Sequence, residues 1–192
     1  MKIGFIGLGI MGKPMARNIL AGGFPDLYVW NRSPGPAEEL AEAGAVCASK
    51  EQIGRECDVI LTMLPNSPQV REVMLGPDGV AQYMHSGQVY IDMSSINPVS
   101  SREIAAELEK IGVDMLDAPV SGGEPKAVDG TLSFMVGGKQ EVFDRFKPLL
   151  MTMGSTVTRC GETGASSMST PIFSSSAAIS RELTGLMELI SI

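Results

Sequence analysis

The chain has 192 residues, enough for one large domain or a domain with an appendage, and 44% of them are apolar, so a substantial core is expected. A formal net charge of −7 excludes a basic nucleic-acid-binding face as its main chemistry, though not a nucleotide held by local dipoles and one or two cations. Three separated cysteines, Cys47, Cys57 and Cys160, form no C-x-x-C pair, which excludes a disulfide framework or zinc site and points to reduced thiols in a cytoplasmic protein.

Lys2 to Ile6 reads as a strand that runs into a glycine-rich turn, with Gly7, Gly9 and Gly12 at G-x-G-x-x-G spacing. Each glycine has a separate physical task. Gly7 takes the tight turn off the strand, Gly9 lets a pyrophosphate approach the backbone, and Gly12 lets the next helix pack close. That helix then presents unpaired N–H groups and a positive dipole end to the phosphates. The same apolar opening is too short, and too interrupted by glycine, for a signal peptide. No stretch is long and apolar enough to span a membrane. The 13 methionines read as core filling.

Strand candidates follow near 27–30, 58–63, 89–92, 113–116, 132–136 and 156–159, with helical patterns between most of them. The clearest helix is 98–111. Pro98 suits its first turn, Ser100 and Glu103 have capping-box spacing, Ile104, Leu108 and Ile111 share a face, and Gly112 ends it. Such alternation predicts an α/β fold: a Rossmann-like, doubly wound, mostly parallel sheet with helices on both faces. Ligands in such sheets bind beyond the carboxyl ends of the strands, so residues just after a strand are the site candidates.

Asn31, Arg32 and Ser33 follow the second strand. An acidic residue there would hold an NAD ribose. Asn31 is neutral, Arg32 can grip a 2′-phosphate bidentately and Ser33 can donate another hydrogen bond, so NADP(H) is preferred and NAD(H) remains possible. The plainer alternative is a polar turn into Pro34-Gly35-Pro36. Met63, Leu64 and Pro65 follow the next strand as an apolar lip for the cofactor, while Asn66 serves equally as a helix cap. Ser94 and Ser95 place two hydroxyls near the nicotinamide half, with helix-entry chemistry as the competitor. Ser121, Gly122 and Gly123 offer a hydroxyl and successive N–H groups, a nest for a carboxylate, or else a plain glycine turn. His85, the one histidine, stands before a strand, at the wrong end of the sheet for catalysis.

The character changes after Gly164. Residues 165–180 are serine-rich and contain Pro171, and Leu183, Leu186, Met187 and Ile190 then have helical spacing. We expect a dinucleotide-binding domain over 1–163 and an atypical tail over 164–192 with one short amphipathic helix.

Four segments, GFIGLGIMGKPMARN at 4–18, CDVILTMLPNSPQV at 57–70, YIDMSSINP at 90–98 and DMLDAPVSGGEPKAVDGTLSFMVGG at 114–138, resemble the β-hydroxyacid dehydrogenase family across residues 1–164. The resemblance implies an NAD(P)H-dependent oxidoreductase that passes hydride to the aldehyde carbon of a small 3-oxo acid, without a metal. It implies cofactor contacts at Gly7, Leu8, Gly9, Ile10, Met11, Gly12, Met63, Leu64, Pro65 and Ser95, and a substrate carboxylate at Ser121, Gly122 and Gly123. The family continues with a long helix bearing a general-acid lysine and then an asparagine. Counted from Gly164-Ala165, the lysine position falls on Thr170 and the asparagine near Phe173-Ser174, and Pro171 would break such a helix. Lys126 is the nearest basic substitute, though it reads better as a solvated helix start. The family's all-helical C-terminal domain is not matched by these residues. The expectation is a truncated enzyme, weakly active or inactive; the alternatives are a non-catalytic NADP-binding module and a self-associating interaction protein.

Overall fold

Residues 1–166 are described by the structure, a computed structural model. Ile3–Ile6 forms β1, Leu27–Trp30 β2, Val46–Cys47 β3, Val59–Thr62 β4, Val89–Asp92 β5 and Asp114–Asp117 β6. These pair in parallel in the order β3-β2-β1-β4-β5-β6. Their C-terminal residues fall into register, with Ile6 beside Thr62, Thr62 beside Asp92, and Asp92 beside Asp117. One sheet edge therefore collects the loops after β1, β2, β4, β5 and β6.

Helices cover both faces, as the alternation predicts. Gly12–Ala21 (α1), Gly35–Glu42 (α2), Gly123–Asp129 (α6) and Gln140–Leu150 (α7) bury Met15, Ile19, Leu40, Ala127 and Phe146 against Phe5, Val29, Leu61 and Ile91. Lys50–Glu56 (α3), Ser67–Leu75 (α4) and Pro98–Glu109 (α5) bury Ile53, Val70, Ile104 and Leu108 against Ile6, Ile60, Tyr90 and Met115. The β1, β4 and β5 strands are buried at every residue, which explains their unbroken apolar runs. No described helix is long and apolar enough to cross a membrane.

The helix foreseen over 98–111 is α5, but its cap is not the Ser100–Glu103 box. Asn97 is the N-cap, and its Oδ1 accepts the Val99 N–H at 2.8 Å, with Pro98 at N1. Glu103 instead pairs with Arg71 of α4. The capping-box spacing was one turn too late because Pro98 already fixes the first helical position. Asn97→Ala is expected to cost about 1 kcal/mol, read as a shift of the urea midpoint.

Beyond β6 the sheet changes direction. Val120–Ser121 (β7) and Leu132–Gly137 (β8) pair antiparallel, and β8 pairs in parallel with Gly154–Gly161 (β9). Asp117 opposes Gly137, Val120 opposes Phe134 and Ser121 opposes Ser133, so β6 and β7 keep one unbroken register against β8. They are one strand interrupted at Pro119, which has no N–H to give but whose carbonyl accepts the Met135 N–H at 3.2 Å. The short β3 and β7 strands are additions to the strands expected from sequence.

Candidate active site at the carboxyl edge of the sheet

The glycine turn is built by packing. Gly7 has φ +97°, its N–H donates to the Trp30 carbonyl at 3.0 Å, and a Cβ there would lie 2.4 Å from the Met63 carbonyl oxygen. A Cβ on Gly12 would lie 1.9 Å from the Gly7 carbonyl oxygen. Gly9 is different. Its φ is not in the left-handed region, and a Cβ there would meet nothing within 4 Å. Two glycines are thus required by the chain's own atoms, and the third leaves a space that the chain does not fill. Among the described residues, the N–H groups of Gly9, Ile10 and Met11 donate to no backbone carbonyl. Ile10 is 71% exposed, and Gly9 and Ile10 line a cleft of about 410 Å³ with Lys13, Arg17 and Glu124.

Asn31 holds this turn to the loop after β2. Its Oδ1 accepts the Leu8 N–H at 2.9 Å and its Nδ2 donates to the Ser33 carbonyl at 2.9 Å. The Leu8 side chain is buried, so only its backbone borders the turn. Arg32 and Ser33 are exposed, and Arg32 makes no ion pair among the described residues.

The lip Met63-Leu64-Pro65 emerges beside Gly7, where the Leu64 side chain would lie 2.8 Å from a Gly7 Cβ. Asn66 behaves as the plainer reading held: it is the N-cap of α4. The lip is braced from the neighbouring loop, where Ser94 Oγ accepts the Leu64 N–H at 2.9 Å and Ser67 Oγ accepts the Asn97 N–H at 3.1 Å. Ser94 is buried and occupied by this bond, whereas Ser95 is exposed.

Ser121, Gly122 and Gly123 are exposed, with φ +139° at Gly122 and +68° at Gly123. The Lys126 stem folds over Gly122. Ser121 and Lys126 share a pocket of about 180 Å³ with Ser133, Thr156 and Thr158, all hydroxyl-bearing. His85 lies at the opposite edge, where its N–H donates to Gln88 Oε1 at 2.6 Å. Thr170, Phe173, Ser174 and the apolar positions from Leu183 to Ile190 lie outside the described residues.

Two buried carboxylates escaped the sequence reading. Asp92 is 1% exposed and Asp117 2%. Asp92 Oδ1 accepts from Thr62 Oγ1 at 2.8 Å and from the Ser94 N–H at 3.1 Å, and burial pushes its carboxyl up to about 6 against these hydrogen bonds, with Asp117 pushing the same way. Asp117 accepts the Gly164 N–H at 2.7 Å and the Ser166 hydroxyl, and burial again raises its carboxyl above the usual range. The available signal was an acidic residue ending each of two strands, VYID and DMLD.

A strand, a tight glycine turn, an open cradle and a helix start define a dinucleotide-binding domain. The NAD binding domain of 6-phosphogluconate dehydrogenase matches residues 2–161. The chain belongs to the β-hydroxyacid dehydrogenase family through this domain. It is 46% identical over 165 residues to 2-hydroxy-3-oxopropionate reductase of Escherichia coli K12, covering 85% of this chain and 56% of the relative. A solved 3-hydroxyisobutyrate dehydrogenase of Mycobacterium tuberculosis with L-serine is 35% identical, with a TM-score of 0.81 over 88% of this chain and 57% of that one. Psf3 in complex with NADP+ and 2-OPP is 33% identical, with a TM-score of 0.84 over 98% of this chain and 66% of that one. The chain spans about half the length of the curated relatives it matches.

Proposed function

We propose that residues 1–163 form the NADP(H)-binding half of an oxidoreductase acting on a small 3-oxo or 3-hydroxy acid, and that residues 164–192 form a separate tail. The observation that carries this reading is the cradle at Gly9, open where Gly7 and Gly12 are closed by the chain itself. The relatives named above, one a reductase of a 3-oxo acid and one solved with NADP+, support the substrate and cofactor classes. When bound, the nicotinamide supplies or accepts the hydride. The Ile10 and Met11 N–H groups and the first turn of α1 hold the diphosphate. Arg32, exposed and unpaired among the described residues, holds the 2′-phosphate, with Ser33 beside it. Met63, Leu64 and Pro65 exclude water from one nicotinamide face, and Ser95 lies beside its amide. The N–H groups and hydroxyl of Ser121-Gly122-Gly123 hold the substrate carboxylate.

Arg32→Glu is expected to weaken NADPH binding about 10- to 100-fold, the loss of a charge-assisted bidentate contact, and to leave NADH within a factor of about three. Parallel calorimetric titrations measure both, and NADPH and NADH affinities both left unchanged by the substitution would remove Arg32 from the site.

A second reading is a module that binds cofactor and turns over little. The identity of residue 170 favours it, because the resemblance assigns the general acid to a lysine where this chain has Thr170. A positioned acid contributes about 10²–10⁴ in rate. Steady-state reduction of 2-hydroxy-3-oxopropionate by the purified chain decides the second reading: turnover at the level of ordinary reductases refutes it, and NADPH binding without turnover supports it.

A further inference from the structure

Four side chains form a hydrogen-bonded run through the face of the sheet covered by α3, α4 and α5. Thr62 Oγ1 donates its one proton to Asp92 Oδ1 at 2.8 Å. Tyr90 Oη lies 2.7 Å from the same Thr62 oxygen, so Tyr90 must be the donor of that bond. Asp92 Oδ1 also receives the Ser94 N–H, and Ser94 Oγ receives the Leu64 N–H. All four side chains are 2% exposed or less.

A carboxylate is an expensive choice at this place. The core on that face of the sheet includes Ile60, Met115 and Ile104, and the second oxygen of Asp92, Oδ2, is buried with no partner among the described residues. An apolar residue would fill the position without the desolvation cost. What the carboxylate gains is control of direction. It is the one acceptor that fixes both the Thr62 hydroxyl and the backbone of Ser94, and so aims Ser94 Oγ beneath the Leu64 N–H. The other brace of this lip, Ser67 to Asn97, is more exposed and sits further along. The loop that would hold the adenosine end is fixed separately, through Asn31 and Leu8.

We propose that Asp92 and Ser94 are positioning residues that hold the Met63–Pro65 lip in the attitude that seats the nicotinamide half of the cofactor, and have no part in holding the adenosine half. This rests on the cofactor reading above. It differs from that reading by assigning a role to two buried residues that touch no ligand.

The test compares NADPH with 2′,5′-ADP, which carries the adenosine half alone. Ser94→Ala is expected to weaken NADPH about tenfold, one directed hydrogen bond, and to leave 2′,5′-ADP within a factor of two. Thr62→Val should give a smaller loss of the same selective kind. Equal loss of both ligands, or no loss of either, overturns the proposal, since a general loosening of the domain would not distinguish the two halves. The unaltered protein gives a second measurement that no folding defect can spoil. Hydrogen exchange at the Leu64 amide should slow on saturation with NADPH and stay unchanged with 2′,5′-ADP. An amide that responds equally to both overturns the assignment. If the unaltered protein binds neither ligand, the cofactor reading itself has failed, and this proposal falls with it.

Discussion

Gly9→Ala is expected to abolish most cofactor binding while leaving the protein as stable as before, and Gly12→Ala to destabilise the fold itself. The backbone at Gly9 is open to any L residue, and the added methyl meets no protein atom. Its unfolding free energy should stay within about 0.5 kcal/mol of the original. A diphosphate pressed against that backbone would meet the methyl, and overpacking of this kind costs about 1–3 kcal/mol, which is about 5- to 150-fold in affinity. At Gly12 the same methyl would sit 1.9 Å from the Gly7 carbonyl oxygen, so α1 must retreat from β1, and the penalty falls on the fold at about 3 kcal/mol or more. Urea denaturation and NADPH titration on both variants give four numbers. Undiminished NADPH binding by Gly9→Ala would mean that the space at this turn belongs to nothing.

The second large effect is a dependence of stability on pH. Burial holds the folded-state carboxyl of Asp92 at about 6, against 3.8 for an unperturbed aspartate. As pH rises from about 4, the unfolded chain releases this proton first while the folded chain keeps it. Stability from this group is therefore present in acid and lost as pH climbs to about 6, at about 1.4 kcal/mol per unit, or about 3 kcal/mol in all. Asp117, its neighbour in register, is raised in the same sense, and Tyr90 on the same face stays protonated throughout. The exposed Glu39 and Glu56 are lowered by Lys13 and Lys2 and act in the opposite sense. Subtracting the Asp92→Asn curve removes what the two proteins share. The stability of the unaltered protein minus that of Asp92→Asn should fall by about 3 kcal/mol between pH 4 and 6. A flat difference would place the carboxyl in contact with water.

Much of this architecture is legible in the amino-acid order, for definite reasons. A parallel strand buried on both faces must be apolar throughout, so IGFI, VILT and VYID announce themselves. Gly7 and Gly12 are fixed by local sterics, which spacing alone reports. Long-range events are less visible. Nothing near Asn31 says that its amide meets the Leu8 N–H 23 residues away. Ser94 and Ser95 look alike in sequence, yet one is buried beneath Leu64 and the other is exposed. Only the register of β5 against β4 and β6 separates Asp92 and Asp117 from ordinary turn carboxylates. β3 has two exposed residues at an edge, too short for any periodicity. The antiparallel pairing of β8 with β6 and β7 runs straight through Pro119, a long-range register that composition does not encode.

The unbroken alignment of 117–121 with 133–137 has an evolutionary corollary. Because side chains alternate between faces, gaining or losing one amino acid within either segment would swap the hydroxyl of Ser121 for its neighbour and turn Phe134 outward. Selection can retune this wall by exchanging one side chain for another, but indels within 117–121 or 133–137 should be purged.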